Sequence, residues 1–129
     1  MDEPKLAVLK YPSMRWELID YLQGLSDKEH QYHAWVNNER PGGGHDELNY
    51  AIHFLYDDTD LARDPLSTVG WILKNNEEVS LISNLIRKLD LVFNKYGLEL
   101  TDKEYIEKIE WEDVIRAAKA AKDYLNLEF

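Results

Sequence analysis

The chain has 129 residues, 44% hydrophobic and 12% aromatic, with four Trp and eight Tyr, which excludes a disordered chain and predicts one helical domain over residues 1–129. It has no cysteine, so disulfides, thiolate nucleophiles and cysteine-ligated metal sites are excluded. Its formal charge of −10 repels phosphates, which argues against direct binding to nucleic acid or to an anionic membrane and raises the prospect of a basic protein partner.

The start, Met1-Asp-Glu-Pro-Lys5, has no basic region followed by an apolar stretch, so no signal peptide is expected. No apolar run approaches the roughly 18 to 20 residues that cross a bilayer. The first predicted element is a helix capped by Ser13, with Trp16, Ile19, Leu22 and Leu25 on one inward stripe. Ser26-Asp-Lys-Glu29 reads as a capping box opening a second helix that turns Tyr32, Trp35 and Val36 inward and frays near Asn37-Asn38. Pro41-Gly-Gly-Gly44 then breaks helical structure, because three glycines lose too much backbone entropy to stay helical.

Asp46 is positioned to cap a third helix, whose stripe is Leu48, Ala51, Ile52 and Leu55. An acidic segment follows from Asp57 to Asp64, with four acids against Arg63. Pro65 biases Asp64 away from helix, and a short helix is expected between Pro65 and Leu73, bearing Val69, Trp71 and Ile72. The strongest pattern runs from Glu77 to Tyr96. Its apolar residues recur at three and four, Asn75-Asn76 can cap it, and Gly97 can end it. Thr101-Asp-Lys-Glu104 is a second capping box, before a short helix with Tyr105 and Ile109. A last helix from about Glu110 to Leu125 places Ala117, Ala118 and Ala121 inward, where their small size lets a neighbour approach closely. No segment alternates with period two, so the expected class is all-α, a bundle of about five to seven helices.

Candidate chemistry is sparse. His30 and His33 lie three apart, and His53 and Asp57 four apart, spacings that put each pair on one helix face as a metal site needs. With nearby carboxylates they define one possible function, a metal-dependent helical enzyme. No His-Glu-x-x-His pattern accompanies them, and histidines that serve only packing or surface pairing account for them as well. The Asp57–Asp64 segment lacks the glycine at position six and the glutamate at position twelve of a calcium loop. The glycine run lacks the Gly-Lys-Ser/Thr ending of a phosphate-binding loop, and the acids after it would occupy the helix N-terminus themselves. A serine elbow is absent too, so neither a catalytic residue nor a cofactor is indicated.

Two surface features remain. One is the acidic quartet Asp57, Asp58, Asp60 and Asp64; the other is the supply of large aromatics, from which Trp35 and Trp71 are candidate interface anchors. A solvated loop and a well-filled core are the alternatives for each.

The stretch from His45 through Asp57-Asp58-Thr-Asp60 to Leu61, with Pro65 to Gly70, the Glu77-Glu78-Val79 helix start and Trp111, resembles a family of small acidic helical bacterial proteins. It is similar to immunity proteins of contact-dependent growth inhibition and related polymorphic toxin systems, and the resemblance spans roughly Trp35 to Tyr124. It implies a cytoplasmic, non-catalytic protein that binds one toxin domain, often a nuclease, and blocks its active site. No toxin-contact residue is carried over by the resemblance, and the oligomeric state is left open.

Overall fold

A computed structural model describes residues 9–39, 44 and 46–127. Pro12, whose ring presets a helical φ and whose missing N–H costs nothing at a first turn, opens α1 (Pro12–Leu25). Ser13 is inside the helix rather than capping it. The inward stripe also differs from expectation: Leu18, Ile19, Leu22 and Leu25 are buried, whereas Trp16 is 55% exposed and Arg15 takes the interior place. A guanidinium can be buried here because Glu78 meets it, as described below.

The cap of α2 (Lys28–His30) is Asp27, whose carboxylate accepts from the His30 amide; Ser26 instead turns its hydroxyl to the Gln23 carbonyl. The expected capping box is thus a single carboxylate cap one residue later. The chain continues without a break into a π-helical segment, Gln31–Val36. Trp35 is buried there and Tyr32 and Val36 are half-buried; the helix ends at Asn37, and Asn38 follows with φ 57°. The break at Pro41-Gly-Gly and the reopening at His45 lie outside the described residues.

Beyond the break, α3 (Leu48–His53) also runs on as a π-helical segment, Phe54–Asp58. Its N-cap is Glu47, whose own side chain makes no capping bond; the Asp46 carboxylate is engaged elsewhere, and the Leu48 amide donates instead to the Asp102 carboxylate at 3.1 Å. Leu48, Ala51 and Leu55 are buried and Ile52 half-buried, as their spacing predicts. Residues Pro65–Thr68 form a single 3₁₀ turn, shorter than the expected helix. The Lys10 and Tyr11 amides donate to the Gly70 and Trp71 carbonyls, tying the start of the described chain to this turn.

The long α4 (Asn76–Tyr96) is capped by Asn75 and ended by Gly97 at φ 83°, a left-handed conformation that suits glycine. The Thr101–Glu104 capping box opens α5 (Asp102–Ile106) as expected, and α6 (Trp111–Leu125) completes the fold. α4 packs on α6 and α6 on α1, with Ala117, Ala118 and Ala121 buried at that junction. The structure is all-α; among the described residues the only strand-like pairing is an isolated bridge between Val69 and Leu73.

Two polar devices lock the helices at fixed angles. Arg15, 2% exposed, gives Glu78, fully buried, a bidentate pair at 2.9 and 2.8 Å, and also donates to the Ile72 and Leu125 carbonyls, both at 3.1 Å. Buried Gln31 donates to the Gly24 and Leu25 carbonyls and accepts from the Trp111 indole at 2.9 Å. Each side chain therefore joins three elements, and its polar atoms are satisfied where water cannot reach them.

Candidate functional site

Three elements converge on a cleft of about 580 Å³: the exposed face of α1, the start of α2 and the chain entering α3. Glu17 and Asp20 stand three apart on one face of α1, and Asp27 joins them from the α2 cap. Asp46 closes the far side, where one carboxylate oxygen accepts from the Trp35 indole at 2.8 Å and lies 2.9 Å from Nε2 of His30. Tyr21 and Tyr50 add phenolic walls, and among the described residues no lysine or arginine is in the lining. Four carboxylates thus face one concavity, with His30 as the one imidazole among its described lining residues.

The negative field is felt by Tyr21. Its hydroxyl pKa is raised, first by burial and then by Glu17, Asp46 and Asp58, each of which opposes a phenolate. Tyr21 also packs on Phe54 with ring centroids 5.0 Å apart, so the second π-helical segment is held against α1. Through this packing Asp58 belongs to the electrostatic surroundings of the cleft.

The remaining acids of the quartet go different ways. Asp57 pairs with His53 at 2.7 Å across one helical turn, and Asp60 pairs with Arg63. Asp64 is exposed and precedes the 3₁₀ turn. The quartet is therefore not one continuous face: Arg63 offsets Asp60, Asp57 is turned to His53, and Asp58 is the member that reaches towards the cleft. Trp35 is 8% exposed and packs edge-on against Trp111 at 6.4 Å; its contribution here is to fix Asp46 from the core side. Trp71 is 47% exposed and meets Tyr11 edge-on at 5.7 Å, with the Lys10 ammonium 4.8 Å from its ring.

The histidines are not brought together. His30 faces Asp46, His33 pairs with Glu39 at 2.9 Å, and His53 pairs with Asp57. The His33 imidazole has its pKa raised by the hydrogen bond to Glu39. Among the described residues no group of three or more histidines and carboxylates is placed to hold a metal ion.

Glu17, Asp20, Asp27 and Asp46 went unrecognised in the sequence as a group. The i, i+3 spacing of Glu17 and Asp20 is visible there, but it is the signature of any solvated helix face. Asp46 looks like a helix cap, and only the approach of Trp35 and His30 turns it into the cleft wall.

No helix among the described residues is long and apolar enough to cross a membrane. No curated protein matches this chain, and no solved structure does. A family model matches residues 9–128, nearly the whole sequence, and the chain therefore belongs to the DUF7945 family, a domain of unknown function.

Proposed function

We propose that this protein is an immunity protein, a non-catalytic inhibitor that binds a cognate toxin domain of nuclease type and covers its basic active site in the cytoplasm. The observation that supports the reading best is the cleft itself, in which Glu17, Asp20, Asp27 and Asp46 converge without a lysine or arginine among the described lining residues. A nuclease holds phosphates with cations, and a rigid set of carboxylates offers those cations an alternative to the nucleic acid. The chain charge of −10 extends the attraction and would accelerate encounter.

The test is co-expression with the polypeptide encoded beside this protein's gene. A stable complex that suppresses the partner's nuclease activity is the expected result; a partner that neither binds nor is inhibited refutes the proposal. Stopped-flow association then locates the face. Combined Glu17→Gln, Asp20→Asn and Asp58→Asn should slow association about tenfold at low salt, with the difference vanishing above about 0.3 M. Replacing Asp57, Asp58 and Asp60 by Asn should have a smaller effect, because Arg63 already offsets Asp60 and Asp57 does not line the cleft. Equal salt slopes for wild type and both variants would remove the acidic surface from the interface.

A further inference from the structure

α3 has a second concavity on its other side. A groove of about 400 Å³ runs between α3 and the turn that links α4 to α5. Its apolar lining comes from Ile52 of α3, Phe93 of α4, Leu100 of the turn and Tyr105 of α5, with Leu98 of the turn at the edge. The floor is built before any partner arrives. Phe93 and Tyr105 meet edge-on with centroids 5.5 Å apart, and the Tyr105 hydroxyl donates to the Gly97 carbonyl at 2.6 Å, which fixes the turn. Leu98, directly after Gly97, is left 77% exposed at the edge of the groove.

The rim has one sign of charge. Glu47, Asp57 and Asp102 supply carboxylates, Asp57 lying 2.7 Å from the His53 ring and Asp102 accepting from the Leu48 amide at 3.1 Å, and no lysine or arginine among the described residues lines the groove. An apolar floor inside an acidic rim is complementary to an apolar side chain flanked by cations. We infer that this groove seats an aromatic or aliphatic anchor residue of a basic protein partner, with lysines or arginines beside the anchor meeting Glu47, Asp57 and Asp102. A second copy of this chain fits poorly, since it would bring another acidic surface to an acidic rim. The inference rests on the proposed function for the partner's charge. It adds that the partner grips α3 from both sides, cations in the Asp46 cleft and an apolar anchor in the Leu98 groove.

The first experiment does not require the toxin. The full chain, labelled with ¹⁵N, is titrated with acetyl-Lys-Trp-Lys-amide and separately with acetyl-Lys-Gly-Lys-amide. The tryptophan peptide should shift amides of Ile52, His53, Leu98 and Leu100 and bind at least about fivefold tighter than the glycine peptide, the difference being burial of the indole. Leu98→Ser should abolish that difference. Ile109→Ser, which removes an 81% exposed side chain outside the groove lining, should leave it intact. Equal affinity for the two peptides, or shifts centred on Tyr11 and Trp71, overturns the inference. So do shifts of the groove residues on raising protein concentration alone, which would assign the groove to a second copy.

The second experiment uses the toxin domain. Leu98→Ser should raise its dissociation rate about tenfold and leave association within about twofold, because an anchor acts after encounter. An unchanged dissociation rate overturns the inference while leaving the acidic-inhibitor reading intact. A toxin domain that fails to bind wild type defeats that reading, and the peptide result then decides the groove by itself.

Discussion

The Arg15–Glu78 pair permits a sharp test of what holds the bundle together. Removing one partner leaves the other as an uncompensated charge where solvent cannot reach it, so Glu78→Ala should cost about 3–5 kcal/mol. That is a large part of the roughly 5–15 kcal/mol that stabilises a domain of this kind. The informative variant is the double one, Arg15→Met with Glu78→Leu. Swapping a buried ion pair for apolar side chains often releases about 1–4 kcal/mol of desolvation cost. Here the pair has further duties, because Arg15 satisfies the Ile72 and Leu125 carbonyls and Glu78 accepts from the Lys74 amide at 2.8 Å. Losing partners for three backbone groups, at about 1–3 kcal/mol each, outweighs that release. The double variant should therefore remain about 2–4 kcal/mol less stable than wild type. Urea unfolding followed by far-ultraviolet circular dichroism measures this, with all four members of the double-mutant cycle compared at constant m-value. A double variant as stable as wild type, or more so, would refute the argument that the backbone bonds are what retain the pair.

Other outcomes follow from single sites. Leu89, fully buried in the middle of α4, should cost about 2–5 kcal/mol on truncation to Ala; a loss below about 0.5 kcal/mol would mean that this face does not pack on α6. Gly97→Ala should destabilise by roughly 1 kcal/mol through its positive φ, since nothing nearby would clash with the added methyl group; an unchanged unfolding midpoint would contradict this. The Glu110 carboxyl is lowered to about 2 from 4.5 by hydrogen bonds from Lys95 and then Tyr96. A depressed pKa contributes stability that is complete above 4.5 and lost as pH falls towards 2. Glu110→Gln should therefore flatten the decline in urea midpoint over that interval, and parallel profiles for variant and wild type would show that the pair is too solvated to matter.

Much of the architecture was legible from spacing because the physics that sets it is local. The α4 stripe, the Asn75 cap, Gly97 and the Thr101–Glu104 capping box depend on residues within a few positions of each other, and the structure has them where the sequence places them. Where local rules failed, a distant group had outbid a near one. Asp46 was free to cap α3, yet the Trp35 indole and the His30 imidazole hold its carboxylate. Trp16 is the more apolar neighbour of Arg15, yet Arg15 is inside, because the Glu78 carboxylate 63 residues away makes its burial tolerable. Neither π-helical segment has a pattern of its own in the sequence.

The same division applies to the candidate site. The sequence by itself determined the helical class, the charge of −10 and the absence of thiol chemistry, since composition and short-range periodicity suffice for these. Which acids act together was decided only by tertiary structure. Asp57 and Asp58 are adjacent in the chain, but successive residues of a helical segment point in different directions around its axis. One consequently lies at the groove beneath Leu98 and the other towards Tyr21 and the cleft. Electrostatic potential depends on distance through space, so carboxylates from α1, the α2 cap and the entry to α3 add up to one field. No reading confined to neighbours in the chain could have summed them.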